Sequence, residues 1–258
     1  MFRGLYTAWT GMANEQKRLD VISNNMANSN TVGYKDEKVA SQAFDQVLGI
    51  KIRDGSQAYH NECIGSLSLG VKIGETYTDY SQGSVRQTGG TYDLALSGSG
   101  FFAVSVTDKA GEVHTRYTRD GRFHLTKDGL LVDADGNAVQ GQNGNITIDP
   151  SSKNVSISAT GQITADGELV DTLNIVDFED YDYLKKYGDT MYEPVDGATT
   201  KDAEGEILQG YTEHSNVNVV REMVDMITIT RAYEAGQKVI RSYDSMLDKS
   251  VNQVGALK

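Results

Sequence analysis

From Val219 to Val254 a large apolar or aromatic residue returns every seven positions: Val219, Met226, Tyr233, Ile240, Leu247 and Val254. A seven-residue repeat keeps one stripe of a helix turned toward one partner, so the end of the chain reads as a single long helix that begins near Asn218. At roughly 37 residues it would be about 55 Å long, well beyond the ~12 residues of an average globular helix. Ser215, Asn216 and Asn218 supply N-cap candidates just before it. A second, looser line passes through Met223, Ile229, Gly236, Tyr243 and Val251. Such a helix needs something to cover its stripe.

The other end of the chain offers a partner. Phe2, Leu5, Trp9, Met12, Gln16, Leu19, Ser23 and Met26 fall at alternating spacings of three and four, and only Gln16 and Ser23 break an otherwise apolar stripe. The asparagines and Ser29 between Asn24 and Asn30 mark the end of this helix, and Gly33 stands where a chain leaving a helix often needs positive φ. Apolar residues at helical spacing most often form intramolecular core. Here, however, both stripes lie at chain ends, and two helices alone make a thin core that leaves faces for further subunits. Leu5, Trp9, Met12, Leu19 and Met26, with the six residues of the C-terminal series, are the candidate assembly interface.

Between Thr31 and Gly210 no helical period is sustained. Short β-branched or aromatic runs alternate with glycine, and Asp-Gly recurs at 54, 120, 128, 135, 166 and 196. That dipeptide suits the positive φ of tight hairpin turns, so the spacing suggests a β meander. Leu94–Leu96, Phe101–Val106, Ile146–Ile148, Val155–Ile157 and Leu173–Phe178 are the best strand candidates. The expected fold class is α+β: N- and C-terminal helices pairing as a coiled-coil-like assembly region, with a central all-β domain. Residues 1–35 are the first assembly helix, 36–93 a linker and type-specific segment, 94–214 the β domain and 215–258 the second assembly helix.

Several functions are excluded by what is present. Lys and Arg number 24 against 36 Asp and Glu, a net charge of −12 that repels nucleic acid and anionic lipid. Cys63 is the only cysteine, so neither an intrachain disulfide nor a cysteine-rich metal site can form. The first residues lack the apolar run of a secretory signal, and nothing later approaches the ~18 apolar residues of a membrane span. Ser97-Gly98-Ser99-Gly100-Phe101-Phe102-Ala103 fails as a dinucleotide loop at Ala103 and as a nucleophile elbow at Ser97. Asp133-Ala134-Asp135-Gly136-Asn137 matches a calcium loop only in part and reads better as a hairpin turn. His60, His114, His124 and His214 have no metal-ligand spacing. No cofactor, metal or catalytic constellation is expected.

Longer strings carry a resemblance. Asp20-Val21-Ile22-Ser23-Asn24-Asn25-Met26-Ala27-Asn28-Ser29-Asn30-Thr31-Val32-Gly33-Tyr34-Lys35 resembles the N-terminal signature of the bacterial flagellar rod and hook proteins. Asp93 to Phe102 followed by Tyr117 to Phe123 is similar to their central β signature. Gln209 to Val220 with Arg231-Ala232-Tyr233-Glu234-Ala235 is similar to their C-terminal one. The resemblance spans the chain and is most like the distal rod type. It implies a non-enzymatic structural subunit of the flagellar basal body, self-assembling into a helical tube with other rod and hook proteins and without nucleic acid or membrane insertion. It further implies delivery by the flagellar type III export apparatus without a cleaved signal peptide, with Phe44 and Leu48 as the export-recognition pair, neighbours if that segment is a helical turn. Tyr34 stands where the family usually has Phe, and residues 49–74 match least. From a different class, a secreted β-rich binding or adhesive surface protein is the alternative, which tube formation at high concentration would separate from the first reading.

Overall fold

The computed structural model describes residues 2–51, 62–108, 111–152 and 154–254. The fold is α+β: helix α1 (Phe2–Ala27) and helix α2 (Val219–Lys249) stand at either end of a long run of short strands. The chain divides into two units. One holds α1 as far as Met26, the strands between residues 37 and 78, and α2; the other holds residues 27–36 and 79–218.

In the first unit α2 runs unbroken for 31 residues and ends in a π-helical turn, Ser250–Val254. Val219, Met226, Tyr233, Ile240 and Leu247 are all partly buried, and Ile229 fully so, so the seven-residue series marks the covered face of the helix. Contact with α1 is made over small residues. A Cβ on Gly4 would overlap the Tyr243 hydroxyl, and one on Gly236 would fall 2.6 Å from Met12 Cγ.

The opposite side of α1 is covered through polar groups. Asn14 Nδ2 donates to Ser41 Oγ at 3.0 Å, Asn25 Nδ2 donates to the Glu37 carbonyl at 2.8 Å, and the Glu37 amide returns to Asn25 Oδ1 at 3.1 Å. The Asn25 side chain thus imitates one rung of a strand ladder beside Asp36–Ala43, which pairs with Val71–Asp79. Val47–Lys51 and Glu62–Leu67 form a separate antiparallel pair.

The second unit is built on a ten-stranded sheet whose central strand, Phe101–Thr107, pairs with Val113–Thr118, Ala138–Gly141 and Ile175–Phe178. Successive side chains of a strand point to opposite faces. Phe102 and Val104 accordingly enter one core with Leu94, Leu131, Ile146 and Ile163, while Phe101 enters another with Phe178, Leu184 and Tyr192.

Of the expected turns, Asp166-Gly167 closes a two-residue hairpin between Gln162–Ala165 and Glu168–Thr172, with φ of 50° and 93°, values that fit the mirror-image turn matched to strand twist. Asp133 holds its turn by accepting from the Asp135 and Asn137 amides and from Asn137 Nδ2, so its carboxylate is spent within the hairpin. Asp120-Gly121 is not a turn of this kind. Gly121 lies against the Leu94 carbonyl, where a side chain would collide with backbone. Ile146–Ile148 is not a regular strand either: its two isoleucines are buried, and the segment is tied by a lone bridge, Leu130↔Thr147, and by single backbone bonds. Asp54-Gly55 and His60 lie outside the described residues.

Candidate functional site

Where the chain leaves α1, the Thr31 amide bonds the Asn28 carbonyl at 3.1 Å and Gly33 takes φ of 70°. A side chain at Gly33 would meet the Arg119 and Asp120 backbone, so glycine is required both by its dihedral and by the space. This brings Tyr34, Lys35 and Asp36 into the interior of the second unit, all three buried.

There Lys35 Nζ lies 2.6 Å from Glu213 Oε1 and 2.8 Å from the Ser81 carbonyl. Glu213 Oε1 also accepts from the Gly83 amide at 2.9 Å, and Oε2 lies 3.2 Å from Arg119 Nη1. Arg119 Nη2 continues to the Gly98 carbonyl at 2.8 Å. The Lys35 and Glu213 side chains are 0% and 1% exposed, so these charges are removed from water and depend on each other. Burial is the main influence on Lys35 and holds its ammonium below the usual lysine range, against the pull of Glu213.

Asn216 completes the knot. It accepts from the Asp36 amide at 2.8 Å and donates through Nδ2 to the Asp79 carbonyl at 2.8 Å, while the Gly33 amide bonds the Glu213 carbonyl at 2.9 Å. Asn216 is therefore committed to tying segments together, and Asn218 is the residue directly before α2. The effect is mechanical: the segment leaving α1 and the segment entering α2 are fastened side by side. No reading of periodicity finds this knot, because charged residues inside a strand-like run are ordinarily placed on the surface.

The candidate assembly residues are distributed as follows. Leu5, Met12, Leu19 and Met26 are half-buried, whereas Trp9 is 55% exposed with its ring 5.8 Å from that of the equally open Tyr6. On α2 the five residues from Val219 to Leu247 are half-buried, and the Val254 side chain lies outside the described residues. A further apolar line on α2 is open: Val220 (73%), Met223, Val224 and Ile227 are all exposed, and of these only Met223 belongs to the looser line read from the sequence. Phe44 is half-buried and Leu48 65% exposed. They are not on a helical turn, since Leu48 belongs to the strand Val47–Lys51 and the Phe44 amide bonds the Gly70 carbonyl.

Comparison with known proteins decides the family. Residues 5–35 match the family described as flagella basal body rod protein, residues 95–165 the D1 domain of flagellar hook protein FlgE/F/G, and residues 208–254 the C-terminal region of flagellar basal body rod FlgEFG protein. The flagellar basal-body rod protein FlgG of Bacillus subtilis is 34% identical, over 98% of this chain and 99% of its own. The chain belongs to the flagellar basal-body rod protein family. FlgG of Caulobacter vibrioides is 36% identical over 95% of this chain and 97% of its own, and FlgF of the same organism is 32% identical over the whole of both. The family is structural and not enzymatic, and an adhesive surface protein finds no support among these relatives. All three matched regions contribute to the knot: Lys35 from the first, Arg119 from the second, and Glu213 and Asn216 from the third. No helix among the described residues is long and apolar enough to cross a membrane.

Proposed function

We propose that the chain is a structural subunit of the flagellar basal-body rod, of the distal type, which polymerises through α1 and α2 into the axial tube, transmits torque along it and encloses part of the export channel. The observation that carries this reading is the open stripe on α2. Val220, Met223, Val224 and Ile227 fall at i, i+3, i+4 and i+7, one face of a helix whose other face is already covered within the chain. Apolar surface of that length on a soluble helix is a contact surface, and further copies of a rod subunit supply the contact. Relatives named as rod proteins over their full length support the same reading.

Leu5, Trp9, Met12, Leu19 and Met26 of α1 and the series Val219 to Val254 belong to the same assembly region, with other rod and hook proteins as neighbours. The test is complementation of a strain lacking this chain. Ile227→Asp replaces an exposed side chain, so the protein stays folded, but a charge enters each repeated contact and cells are expected not to swim. Normal swimming would contradict assembly through this face.

Delivery is proposed to run through the flagellar type III export apparatus, with Phe44 and Leu48 as the recognised pair and no cleaved signal. The support is the sequence string and the exposure of Leu48 in the strand Val47–Lys51. Phe44→Ala should leave the protein folded in the cytosol and at least tenfold reduced outside it; undiminished secretion would remove the role.

A further inference from the structure

Several strands of the second unit find a partner within a few residues of themselves. Phe101–Thr107 pairs with Val113–Thr118, Leu184–Tyr187 with Met191–Pro194, and Gln162–Ala165 with both Val155–Ile157 and Glu168–Thr172. The front of the unit is held differently. Val85–Gln87 and Leu94–Ser97 each form a two-stranded sheet, and the second strand is Tyr211–Glu213 in one and Glu206–Gln209 in the other. The Gly210 amide adds a bond to the Asp93 carbonyl at 2.7 Å, and the His214 amide one to the Ser84 carbonyl at 2.8 Å. The segment leaving α1 is attached to the same stretch, through the Gly33 amide on the Glu213 carbonyl, Lys35 on the Glu213 carboxylate and the Asp36 amide on Asn216 Oδ1. Residues 206–216, nearly the last of the unit to be made, therefore stitch down the first.

Charge makes this order matter. The Lys35 side chain is 0% exposed, and Glu213 is the carboxylate that its ammonium touches. Before Glu213 arrives, docking the segment would bury that ammonium unpaired near Arg119, which opposes docking outright. The locally paired strands carry no such condition, because they close short loops and form early. A chain that is made or delivered N-terminus first presents Lys35 at its start and Glu213 178 positions later.

We propose that Lys35 is a charge lock on folding: it keeps the segment leaving α1 undocked until Glu213 and Asn216 arrive, so the second unit closes only on a complete chain and closes last at the knot. This goes beyond the rod-subunit reading and does not depend on it.

Pulse-labelled hydrogen exchange during refolding of the full chain, read by mass spectrometry with residue-level fragmentation, tests it. The amides of Phe101–Thr107 should gain protection first, and those of Gly33 and Asp36 at least tenfold later in time. In Glu213→Gln the strand amides should gain protection at the parent's rate within threefold, while the final protection of Gly33 and Asp36 falls at least a hundredfold. Adding Lys35→Met to that variant should recover at least tenfold of the loss, because the charge that opposed docking is gone. If Glu213 acted only as the partner of Arg119, the double variant would do no better than Glu213→Gln, and the lock would be overturned. Protection of Gly33 and Asp36 together with the strand, or before it, would overturn it as well. Should Glu213→Gln fail to fold, the order measured in the parent decides alone.

Discussion

Glu213 neutralises two cations at once, and the balance around it gives opposite outcomes for its partners. Removing the carboxylate leaves Lys35 and Arg119 buried without compensation, and breaking a buried pair in this way costs about 3–5 kcal/mol. Glu213→Ala should therefore move the urea midpoint sharply downward. Lys35→Met should not. It removes the ammonium whose desolvation is the chief opposing influence and keeps the Arg119–Glu213 pair, so its midpoint should fall clearly less than that of Glu213→Ala. A second residue-scale prediction concerns Tyr181, whose hydroxyl donates to Asp177 Oδ1 at 2.8 Å. Burial and then this bond push the phenol up to about 12, from an unfolded value near 10. Its folded pKa is raised, so its contribution is whole below pH 10 and is lost as pH climbs toward 12. Alkaline unfolding of the parent should fall in that window more steeply than that of Tyr181→Phe. Parallel curves would contradict the assignment. Burial would raise Asp177 itself, but hydrogen bonds from Tyr181, Ser99, the Phe178 amide and Lys201 outweigh it and hold the carboxyl below its ordinary range.

At the scale of elements, α2 was legible because a period of seven survives whatever covers the helix. The strands Leu94–Ser97, Phe101–Thr107 and Val155–Ile157 were legible from their β-branched and aromatic runs. Less of α1 could be read. Its most buried residues include Asn14 and Asn25, covered through hydrogen bonds to the strand Asp36–Ala43, and a count of apolar positions passes over polar ones by construction. The knot was illegible for a further reason: Lys35 and Glu213 lie 178 positions apart, and no local pattern says which distant carboxylate will meet a lysine. The glycines on the helix contact are testable here. Gly236→Leu places bulk against Met12 and should cost about 1–3 kcal/mol of overpacking. Read at 222 nm, its helical thermal transition should fall by several degrees.

The whole molecule combines two features: end helices with exposed apolar surface, and a β body that clamps the segments leading to them. The net charge of −12 makes separate subunits repel one another, while the proposed polymer contacts are apolar and local to the helices. Electron microscopy of the purified full chain at high concentration, beside the double variant Val224→Asp/Ile227→Asp, tests this most directly. The parent should form tubes, and the variant should give a folded monomer with an unchanged circular dichroism spectrum and no tubes. Tubes of the same form from the variant would show that the open face of α2 is not the polymer contact.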